Sequence, residues 1–354
     1  LQQLAITMSR RQWLEENSLI NYIYQLVAPG AFAIKYEEMD FGKDVVIKPR
    51  YMAICHADQR YYLGLRDQQV LNKKLPMALI HECCGEIVYD PSGTYGVGEK
   101  VALIPNVKGC EDPVIFENYA SDARFLSSGS DGFLREYINL PVDRVVPCGK
   151  LSPKLAAVTE FVSVAAHSVR RFSVVSHERR DTIAVWGDGS LAFVMANILR
   201  LEFPESKIVV IGKNSRKLSY FSFIDETILA DFIPDTFSCD HAFECCGGEG
   251  SYYAIEDIIR YIRPQGSVML MGVSENRVAI NTRDILEKGL TFVGSSRSGR
   301  EDFEKAVACM QDRKFQKRLE LIVYEDEKVN SVGDLHRVFQ TDAQTPFKTV
   351  FEWG

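Results

Sequence analysis

The sequence lacks the features that would point to a membrane protein or to a nucleic-acid-binding protein. No apolar run is long enough to span a bilayer, and no low-complexity tract interrupts the chain. Positive charge is not in excess, because 41 lysine and arginine residues stand against 48 acidic residues and give a formal net charge of −7. This balance gives no reason to expect binding to nucleic acid or to an anionic membrane surface.

Cysteine is present, but not in the pattern of a disulfide framework. Four of the nine cysteines form two adjacent pairs, Cys83-Cys84 and Cys245-Cys246, inside apolar stretches. A chain of 354 residues can also bury enough apolar surface to fold without cross-links. We therefore expect reduced thiols and a cytoplasmic location. Arg10-Arg11 is followed by no apolar segment, so residues 1–20 are predicted to be an N-terminal extension and not a secretory signal.

The rest of the chain has two different patterns of predicted secondary structure, which together predict an α/β protein of two domains. From Tyr22 to about Pro147, short β-rich segments alternate with turns, as expected for a partly open β-barrel. After Ser152, strands and helices alternate, beginning with a strand at 182–186 and a helix at 190–201, and this predicts a doubly wound parallel sheet. The predicted barrel domain comprises 21–160 and 296–354, and the predicted sheet domain is 161–295.

Cys55, His81, Glu82 and Glu160 carry the side chains that zinc prefers. Zinc binds thiolate, imidazole and carboxylate in a tetrahedron, and a catalytic site leaves one position open for water or substrate. Taken singly, each residue has an ordinary interpretation, since a buried cysteine is usually a small core residue. Their order ahead of a glycine turn is what favours a catalytic metal site.

The glycine turn is Gly187-Asp-Gly189-Ser-Leu-Ala192, which follows a predicted strand and begins a predicted helix. That context is the one a dinucleotide fingerprint requires, because the backbone amides of the turn meet the pyrophosphate. Gly187, Gly189, Ser190 and Leu191 are therefore candidate cofactor-binding residues, and Cys245 and Gly272, after later strands, are added to them. A metal that polarises a carbonyl and a cofactor that carries hydride together predict carbonyl reduction or its reverse.

The end of the second strand bears on which dinucleotide is bound. An acid normally stands there and binds the adenosine ribose, but this chain has Gly212, followed by cations that include Lys213 and Lys217. An acid would repel a 2′-phosphate, whereas glycine followed by cations admits one. A solvated basic loop is the ordinary alternative. The missing acid favours NADP(H) over NAD(H).

With these motifs, the chain resembles the zinc-dependent medium-chain alcohol and polyol dehydrogenases from about Tyr24 onward. The resemblance rests on Cys55-x-x-Asp58, His81-Glu82-x-x-Gly85, 97–101, 132–137 and Gly187-x-Gly189. It implies a GroES-like catalytic domain and a Rossmann domain. It also implies that Cys55 and His81 bind zinc, with Glu82 and Glu160 as carboxylates around it. Asp58 would orient His81 from behind.

Two departures from the family pattern affect the expected mechanism. The family usually has a hydroxyl residue and a histidine where this chain has Ala57 and Arg60, so the usual proton relay is missing. Proton delivery would then fall to zinc-bound water, Glu82, Glu160 or solvent. The four-cysteine structural zinc lobe is also missing, because residues 106–123 contain only Cys110. We therefore expect one zinc per chain.

The segments 51–62, 80–85 and 294–300 resemble one subgroup, the ribulose-5-phosphate reductases that supply ribitol 5-phosphate for CDP-ribitol and teichoic acid or capsule. This implies NADPH-linked reduction of D-ribulose 5-phosphate, a phosphorylated pentulose. Arginine suits phosphate because its planar fork can donate two parallel hydrogen bonds. Candidate substrate residues are Arg60, Tyr61, Arg297 and Arg300.

Two other functions stay open at this stage. The first is a polyol dehydrogenase, similar to sorbitol dehydrogenase, that acts on an unphosphorylated substrate. The second is a zinc-free relative that binds dinucleotide as a regulatory or structural protein. The resemblance further implies a homodimer through the edge of the Rossmann sheet, and association with a cytidylyltransferase that acts on the product.

Overall fold

The computed structural model describes residues 20–39 and 41–354, which form two compact units. The first unit runs to Glu160 and resumes at Val323, and the second runs from Phe161 to Ile322. The predicted N-terminal extension lies outside the described residues, except that Ile20 begins the first strand.

The first unit is built mainly from antiparallel strands. A three-stranded sheet has the order β2-β1-β4, and a larger sheet has the order β10-β6-β5-β3-β18-β17 with β9 paired to β3. A small ribbon pairs β7 with β8. The strands are β1 (Ile20–Ala28), β2 (Ala31–Glu38), β3 (Val45–Ala53), β4 (Met77–Ala78), β5 (Glu82–Tyr89), β6 (Lys100–Leu103), β7 (Asn106–Val107), β8 (Arg124–Phe125), β9 (Ile138–Leu140), β10 (Val145–Pro147), β17 (Val323–Val329) and β18 (Lys348–Trp353).

Helices of this unit follow or cover the strands. They are α1 (His56–Tyr62), α2 (Gln68–Lys74), α3 (Pro153–Ala156) and α11 (Val332–Gln344), with 3₁₀ turns at Glu117–Tyr119 and Val142–Arg144. A core of fully buried side chains, among them Ile47, Phe133 and Phe351, lies between the sheets. Both β3 and β5 begin with consecutive buried residues, as expected of strands that are covered on both faces.

The second unit is a doubly wound sheet of six parallel strands in the order β13-β12-β11-β14-β15-β16. These strands are β11 (Thr182–Trp186), β12 (Lys207–Gly212), β13 (Glu226–Leu229), β14 (His241–Glu244), β15 (Ser267–Leu270) and β16 (Thr291–Gly294). The helices are α4 (Thr159–Val175, which begins at the end of the first unit), α5 (Ser190–Glu202), α6 (Ser215–Leu218), α7 (Gly250–Tyr261), α8 (Thr282–Lys288), α9 (Arg300–Met310) and α10 (Arg313–Glu320), with a 3₁₀ turn at Ala230–Phe232. The predicted fold class is confirmed.

The chain returns to the first unit later than the sequence predicts. We expected the return at residue 296, but residues 296–322 belong to the second unit. Helix α10 is held there by α5, because Asn197 donates to the carbonyl of Phe315 and accepts a hydrogen bond from Arg318 at 2.9 Å. Phe315 is also buried. Sequence length alone could not show which sheet these amphipathic helices cover.

Most predicted elements form, with different ends. The strand at 182–186 has the predicted bounds, and the helix predicted at 190–201 ends one residue later, at Glu202. Between Ser152 and the strand at 182–186, the chain forms two helices, α3 and α4. None of the helices in the described part of the chain is long and apolar enough to cross a membrane.

Candidate active site

Cys55 lies in the short connection between strand β3 and helix α1. It is the N-cap residue of α1, and its carbonyl accepts hydrogen bonds from the amides of Asp58 and Gln59. The carboxylate of Asp58 in turn accepts from the amide of Cys55 at 3.2 Å. The capping arrangement fixes the direction in which the Cys55 side chain leaves the strand.

His81 stands just before β5, on a backbone with unusual geometry. The residue before it, Ile80, has a φ of 68°, a left-handed conformation that a β-branched residue rarely adopts. The Ile80 amide donates to Asp58 Oδ1 at 3.0 Å, and its carbonyl accepts from the amide of Phe133. Strain of this kind persists where the surroundings hold it, and here it turns the chain so that His81 and Glu82 are both buried.

Asp58 lies behind His81, as the family resemblance implies. Its Oδ2 is 3.5 Å from His81 Nδ1, at the limit of a hydrogen bond, and Ser127 Oγ donates to its Oδ1 at 2.8 Å. Burial alone would raise the pKa of Asp58, but His81 and the hydrogen bonds from Ser127 and Ile80 hold this pKa below its usual value. Burial would likewise lower the pKa of His81, yet Asp58 and Cys55 raise it well above its ordinary value. Asp58 thus lies on the Nδ1 side of the ring, where it can orient a metal-binding His81, although Nδ1 itself has no hydrogen-bond partner among the described residues.

Glu82 is fully buried and bonded to a lysine that sequence reasoning missed. Lys348, at the start of β18, donates to Glu82 Oε1 and is itself 5% exposed. Burial raises the pKa of Glu82, and Lys348 and His81 oppose that rise. Burial would lower the pKa of Lys348, but Glu82 and Cys55 hold it above its usual value. A lone lysine in a C-terminal strand gives no sequence signal for this pairing.

Glu160, on the first turn of α4, belongs to the same charge cluster. It is buried, and burial raises its pKa to about 7, with His81 opposing the rise and Glu82 adding to it. A carboxylic acid with a pKa near neutrality can hold or release a proton under ordinary conditions.

The residues fit a zinc ion on their chemistry and spacing. Among the described residues, one group of three possible ligands was found, and the ligand atoms of Cys55, His81 and Glu82 all lie within 4.8 Å of one another. That spacing approaches the span of ligands around a single ion. Glu82 Oε2 is buried and has no hydrogen-bond partner among the described residues, so this carboxylate oxygen can take a metal. Glu160 is outside this group of three.

The candidate substrate residues of the first unit differ in accessibility. Arg60, in the last turn of α1, is partly exposed and lies close enough to His56 to lower the pKa of that imidazole, after the larger effect of burial. Tyr61, in contrast, is 2% exposed, with the Arg66 guanidinium 4.8 Å from its ring centre. Its ring therefore packs in the interior and offers a ligand little surface.

Arg297 and Arg300 lie in the second unit, between β16 and α9. Arg297 has a φ of 58°. Arg300 begins α9 and forms an ion pair with Glu304 at 2.8 Å. Buried hydrogen bonds hold the turn between them. Ser298 is hydrogen-bonded to Ser163, and the carboxylate of Asp302 is hydrogen-bonded to His167 and accepts from the amide of Gly299.

The candidate cofactor residues come together at one edge of the parallel sheet. The glycine turn ends β11, Gly212 ends β12, Cys245 follows β14 and Gly272 follows β15. The carboxyl ends of adjacent parallel strands are where doubly wound sheets bind dinucleotides. Gly187 has a φ of 133°, and a Cβ there would lie 3.0 Å from the Cys245 carbonyl, so the turn requires glycine. Ser190 and Leu191 begin α5.

A buried acid missed in the sequence shapes this edge. Glu244 ends β14, and its two oxygens accept from the amides of Cys246, Gly247 and Gly272 and from Ser251 Oγ. Four donors to one buried carboxylate fix the loop after β14 against the end of β15. A glutamate at the end of a short strand carries no signal that distinguishes it from a surface acid.

Gly212 is enclosed by a second acid, Asp188, from the glycine turn. A Cβ added at Gly212 would lie 2.6 Å from Asp188 Cβ. Asp188 Oδ2 accepts from the amides of Lys213 and Asn214 at 2.8 and 2.7 Å. Lys213 is exposed and Lys217 is half-buried in α6.

The segment 106–123, where the family's structural zinc lobe has four cysteines, is held by Arg144 from a later 3₁₀ turn. The arginine is 2% exposed and donates to both oxygens of Glu117, to Asp143 and to the carbonyl of Asn106, each at 3.0 Å. Cys110 is exposed and alone in this segment. Hydrogen bonds from one buried guanidinium thus hold the loop.

Comparisons with known proteins agree with this geometry. The family model for the alcohol dehydrogenase GroES-like domain matches residues 42–150, and the model for zinc-binding dehydrogenase matches residues 224–312. The chain is 54% identical over 340 residues to the ribulose-5-phosphate reductase of Streptococcus pneumoniae, covering 95% of this chain and 98% of that one. It is 45% identical over 339 residues to ribulose-5-phosphate reductase 1 of Staphylococcus aureus, covering 95% and 99%.

A solved structure gives the same result. The fold matches S. aureus TarJ in complex with NADPH with a TM-score of 0.85 and 42% identity, over 95% of this chain and 100% of that chain. The match to galactitol-1-phosphate dehydrogenase from Escherichia coli has a TM-score of 0.78 at 17% identity, over 93% and 99%, and shows the fold alone. The chain therefore belongs to the zinc-dependent medium-chain dehydrogenase/reductase family, in the group that contains the ribulose-5-phosphate reductases.

Proposed function

We propose that this protein is a zinc-dependent reductase that uses NADPH to convert D-ribulose 5-phosphate to D-ribitol 5-phosphate. The observation that carries the chemistry is the buried group of Cys55, His81 and Glu82, with Asp58 behind the imidazole. The substrate assignment is supported by the 54% identity to a ribulose-5-phosphate reductase over almost the whole of both chains.

Cys55 and His81 would hold zinc, with Glu82 or Glu160 as the carboxylate ligand. When bound, the ion supplies a Lewis acid that withdraws charge from the carbonyl oxygen of the ketose. Asp58 keeps the His81 ring oriented, and Lys348 balances the buried charge of Glu82. With no relay histidine at Arg60, Glu160 would be the proton donor in the arrangement in which Glu82 is the ligand, since burial raises the pKa of Glu160 and favours its protonated form.

The dinucleotide would lie across the carboxyl ends of β11, β12, β14 and β15. The amides of the Gly187 turn would meet the pyrophosphate, and the absence of an acid at Gly212 leaves Lys213 and Lys217 to meet the 2′-phosphate of NADPH. The relative solved in complex with NADPH, S. aureus TarJ, supports this choice of cofactor.

Arg60 would bind the phosphate of the substrate, with Arg297 and Arg300 as the alternative. Arg60 follows the ligand Cys55 by five residues on a short helix and keeps part of its surface exposed. Its fixed charge suits a phosphate dianion. Tyr61 is a packing residue in this proposal, because it is buried.

The product would feed CDP-ribitol synthesis for teichoic acid or capsule, in the cytoplasm, where a cytidylyltransferase would consume it. A homodimer would form through an edge of the parallel sheet, for which we propose β16, one of its two edge strands, since the unpaired groups of an edge strand favour pairing with another copy.

A substrate panel tests the proposal directly. Oxidation of NADPH would be followed with ribulose 5-phosphate, ribulose, xylulose 5-phosphate and fructose as substrates, with NADH in parallel. Turnover concentrated on ribulose 5-phosphate with NADPH is expected. Comparable kcat/KM for ribulose and ribulose 5-phosphate would instead establish the polyol dehydrogenase alternative.

A further inference from the structure

Lys213 is contacted at its backbone amide and at its ammonium group by two residues that the sequence analysis did not assign to the cofactor site. Its backbone amide donates to Asp188 Oδ2 at 2.8 Å, and its ammonium nitrogen lies 4.9 Å from the ring centre of Tyr253, on helix α7. Tyr253 is 56% exposed, so the ring is presented to solvent beside the end of β12. All three residues belong to the second unit.

Asp188 acts on the backbone of the loop. Its Oδ2 also accepts from the amide of Asn214, whose own side chain accepts from the amide of Lys217 and so caps α6. Because Gly212 has no side chain, the Asp188 carboxylate can lie beside the end of β12, where the two amides that donate to its Oδ2 offset part of the negative charge that would otherwise repel a 2′-phosphate. The loop 212–217 is therefore fixed by hydrogen bonds to its amides before any nucleotide is bound.

Tyr253 acts on the charge of Lys213. A ring face attracts an ammonium group through its quadrupole without accepting a directed hydrogen bond from each N–H. The lysine ammonium has three donors, so donors are left for phosphate oxygens. A long, flexible side chain loses rotamer freedom when it meets a ligand, and holding it in advance lowers that cost.

We propose that Asp188 and Tyr253 are positioning residues that fix Lys213 for the 2′-phosphate of NADPH, and so set the preference for NADPH over NADH. This inference rests on the dinucleotide site of the proposed function. It adds to that site the two residues that position Lys213 to bind the 2′-phosphate.

The test measures dissociation constants for NADPH and NADH by titration, in variants of the full-length zinc-loaded protein. Tyr253→Leu should weaken NADPH binding by about 3- to 10-fold and leave NADH within about 2-fold, because only NADPH carries the extra phosphate. Tyr253→Phe keeps the ring and should restore NADPH binding. Tyr324→Leu removes a tyrosine of similar exposure, 50%, from β17 and serves as the matched control.

Asp188 is tested by the same titrations. Asp188→Ala removes the acceptor for both amides and should weaken NADPH by about 10-fold, whereas Asp188→Asn keeps an acceptor oxygen and should recover most of that loss. The inhibitor 2′-AMP, which carries the phosphate without the nicotinamide, should lose affinity in parallel with NADPH, and 5′-AMP should not.

A double-variant cycle with Lys213→Ala decides whether the effect passes through the lysine. In the Lys213→Ala background, Tyr253→Leu should cause no further loss of NADPH binding. An additional loss as large as in the wild type would overturn the inference, as would equal losses of NADPH and NADH. A protein that binds NADPH selectively but does not reduce ribulose 5-phosphate would disprove the proposed function and leave this inference standing.

Discussion

Lys348 and Glu82 are 266 residues apart in sequence and form a buried hydrogen-bonded ion pair beside Cys55 and His81. The pair satisfies one oxygen of Glu82, and the other oxygen has no hydrogen-bond partner among the described residues. The last strand of the chain thus completes the charge balance of the candidate metal site. Its effect on stability and on metal binding can be separated by experiment.

Lys348→Met should lower the free energy of unfolding by about 3–5 kcal/mol, because it leaves a buried carboxylate without its counter-charge. Lys348→Arg should lose less. The control is Lys328→Met, which breaks the exposed Lys328–Glu352 pair and should cost about 1 kcal/mol or less. Denaturant titrations of the zinc-loaded and zinc-free forms measure this. Equal losses for Lys348→Met and Lys328→Met would contradict the assigned role.

Each chain should bind one zinc ion, and Cys55→Ser or His81→Ala should abolish both binding and turnover. Removing a ligand takes away the Lewis acid that the reaction needs. Metal analysis of the purified variants gives the stoichiometry, with Cys110→Ser, an exposed cysteine, as the control that should keep its zinc. Full activity after complete metal removal would exclude the zinc mechanism.

Arg60→Ala should lower kcat/KM for ribulose 5-phosphate, and the decrease should correspond to a loss of about 2–3 kcal/mol of transition-state stabilisation, the value of a charge-assisted hydrogen bond. The same variant should hardly change the rate with ribulose. Steady-state kinetics on both sugars separate phosphate recognition from general damage. Arg300→Ala is measured in parallel. If Arg60→Ala behaves as wild type and Arg300→Ala loses selectivity, the phosphate residue is Arg300.

Gly212→Asp should weaken both NADPH and NADH, and should not by itself produce an enzyme that prefers NADH. The sequence alone suggests that restoring the acid would switch the cofactor, but a side chain at Gly212 would collide with Asp188, and the two carboxylates would repel each other. Asp188→Gly combined with Gly212→Asp removes the collision and should recover NADH binding. Strong NADH binding by the single variant would show that Asp188 moves freely.

His241 should make the protein less stable as the pH falls from about 6.5 to about 4. Burial has the largest effect and lowers the pKa of His241, and the charge of His177 lowers it further, to about 4. The hydrogen bond to the backbone of Arg179 and the charge of Asp240 oppose this shift. Asp240 is itself paired with Arg179 and Arg263. The unfolded chain would take up the proton at the ordinary histidine pKa, so it binds more protons within this window and unfolding becomes easier.

Two hydrogen bonds fix the neutral form of His241, since Nδ1 accepts from the amide of Ser267 and Nε2 then donates to the carbonyl of Arg179. His241→Gln cannot titrate and should reduce the loss of stability between about pH 7 and about pH 5 by about 2 kcal/mol. Thermal or denaturant unfolding across this range measures the slope. The same slope in both proteins would show that His241 does not cause it.

The sequence by itself determined the fold class, the order of the candidate zinc ligands and the glycine turn. These features are local or periodic: strand and helix patterns have fixed spacing, Cys55 lies two residues after β3, His81 directly precedes β5, and Gly187 directly follows β11. A strand that ends in a turn exposes the next side chain at a known edge of a sheet. For that reason the candidate ligands and the dinucleotide edge could be predicted before any coordinates were known.

Only the tertiary structure decided which distant residues complete those sites. Lys348 reaches Glu82 because β18 pairs with β3, which in turn pairs with β5, and no local pattern records that register. Asp188 lies against Gly212 because β11 and β12 are neighbours, and Tyr253, on α7, lies beside Lys213, which follows β12. Residues 296–322 joined the second unit for a similar reason, since the burial of a helix face depends on which sheet it meets. Partners that lie far apart in sequence are set by packing and charge in three dimensions, and one sequence alone does not reveal them.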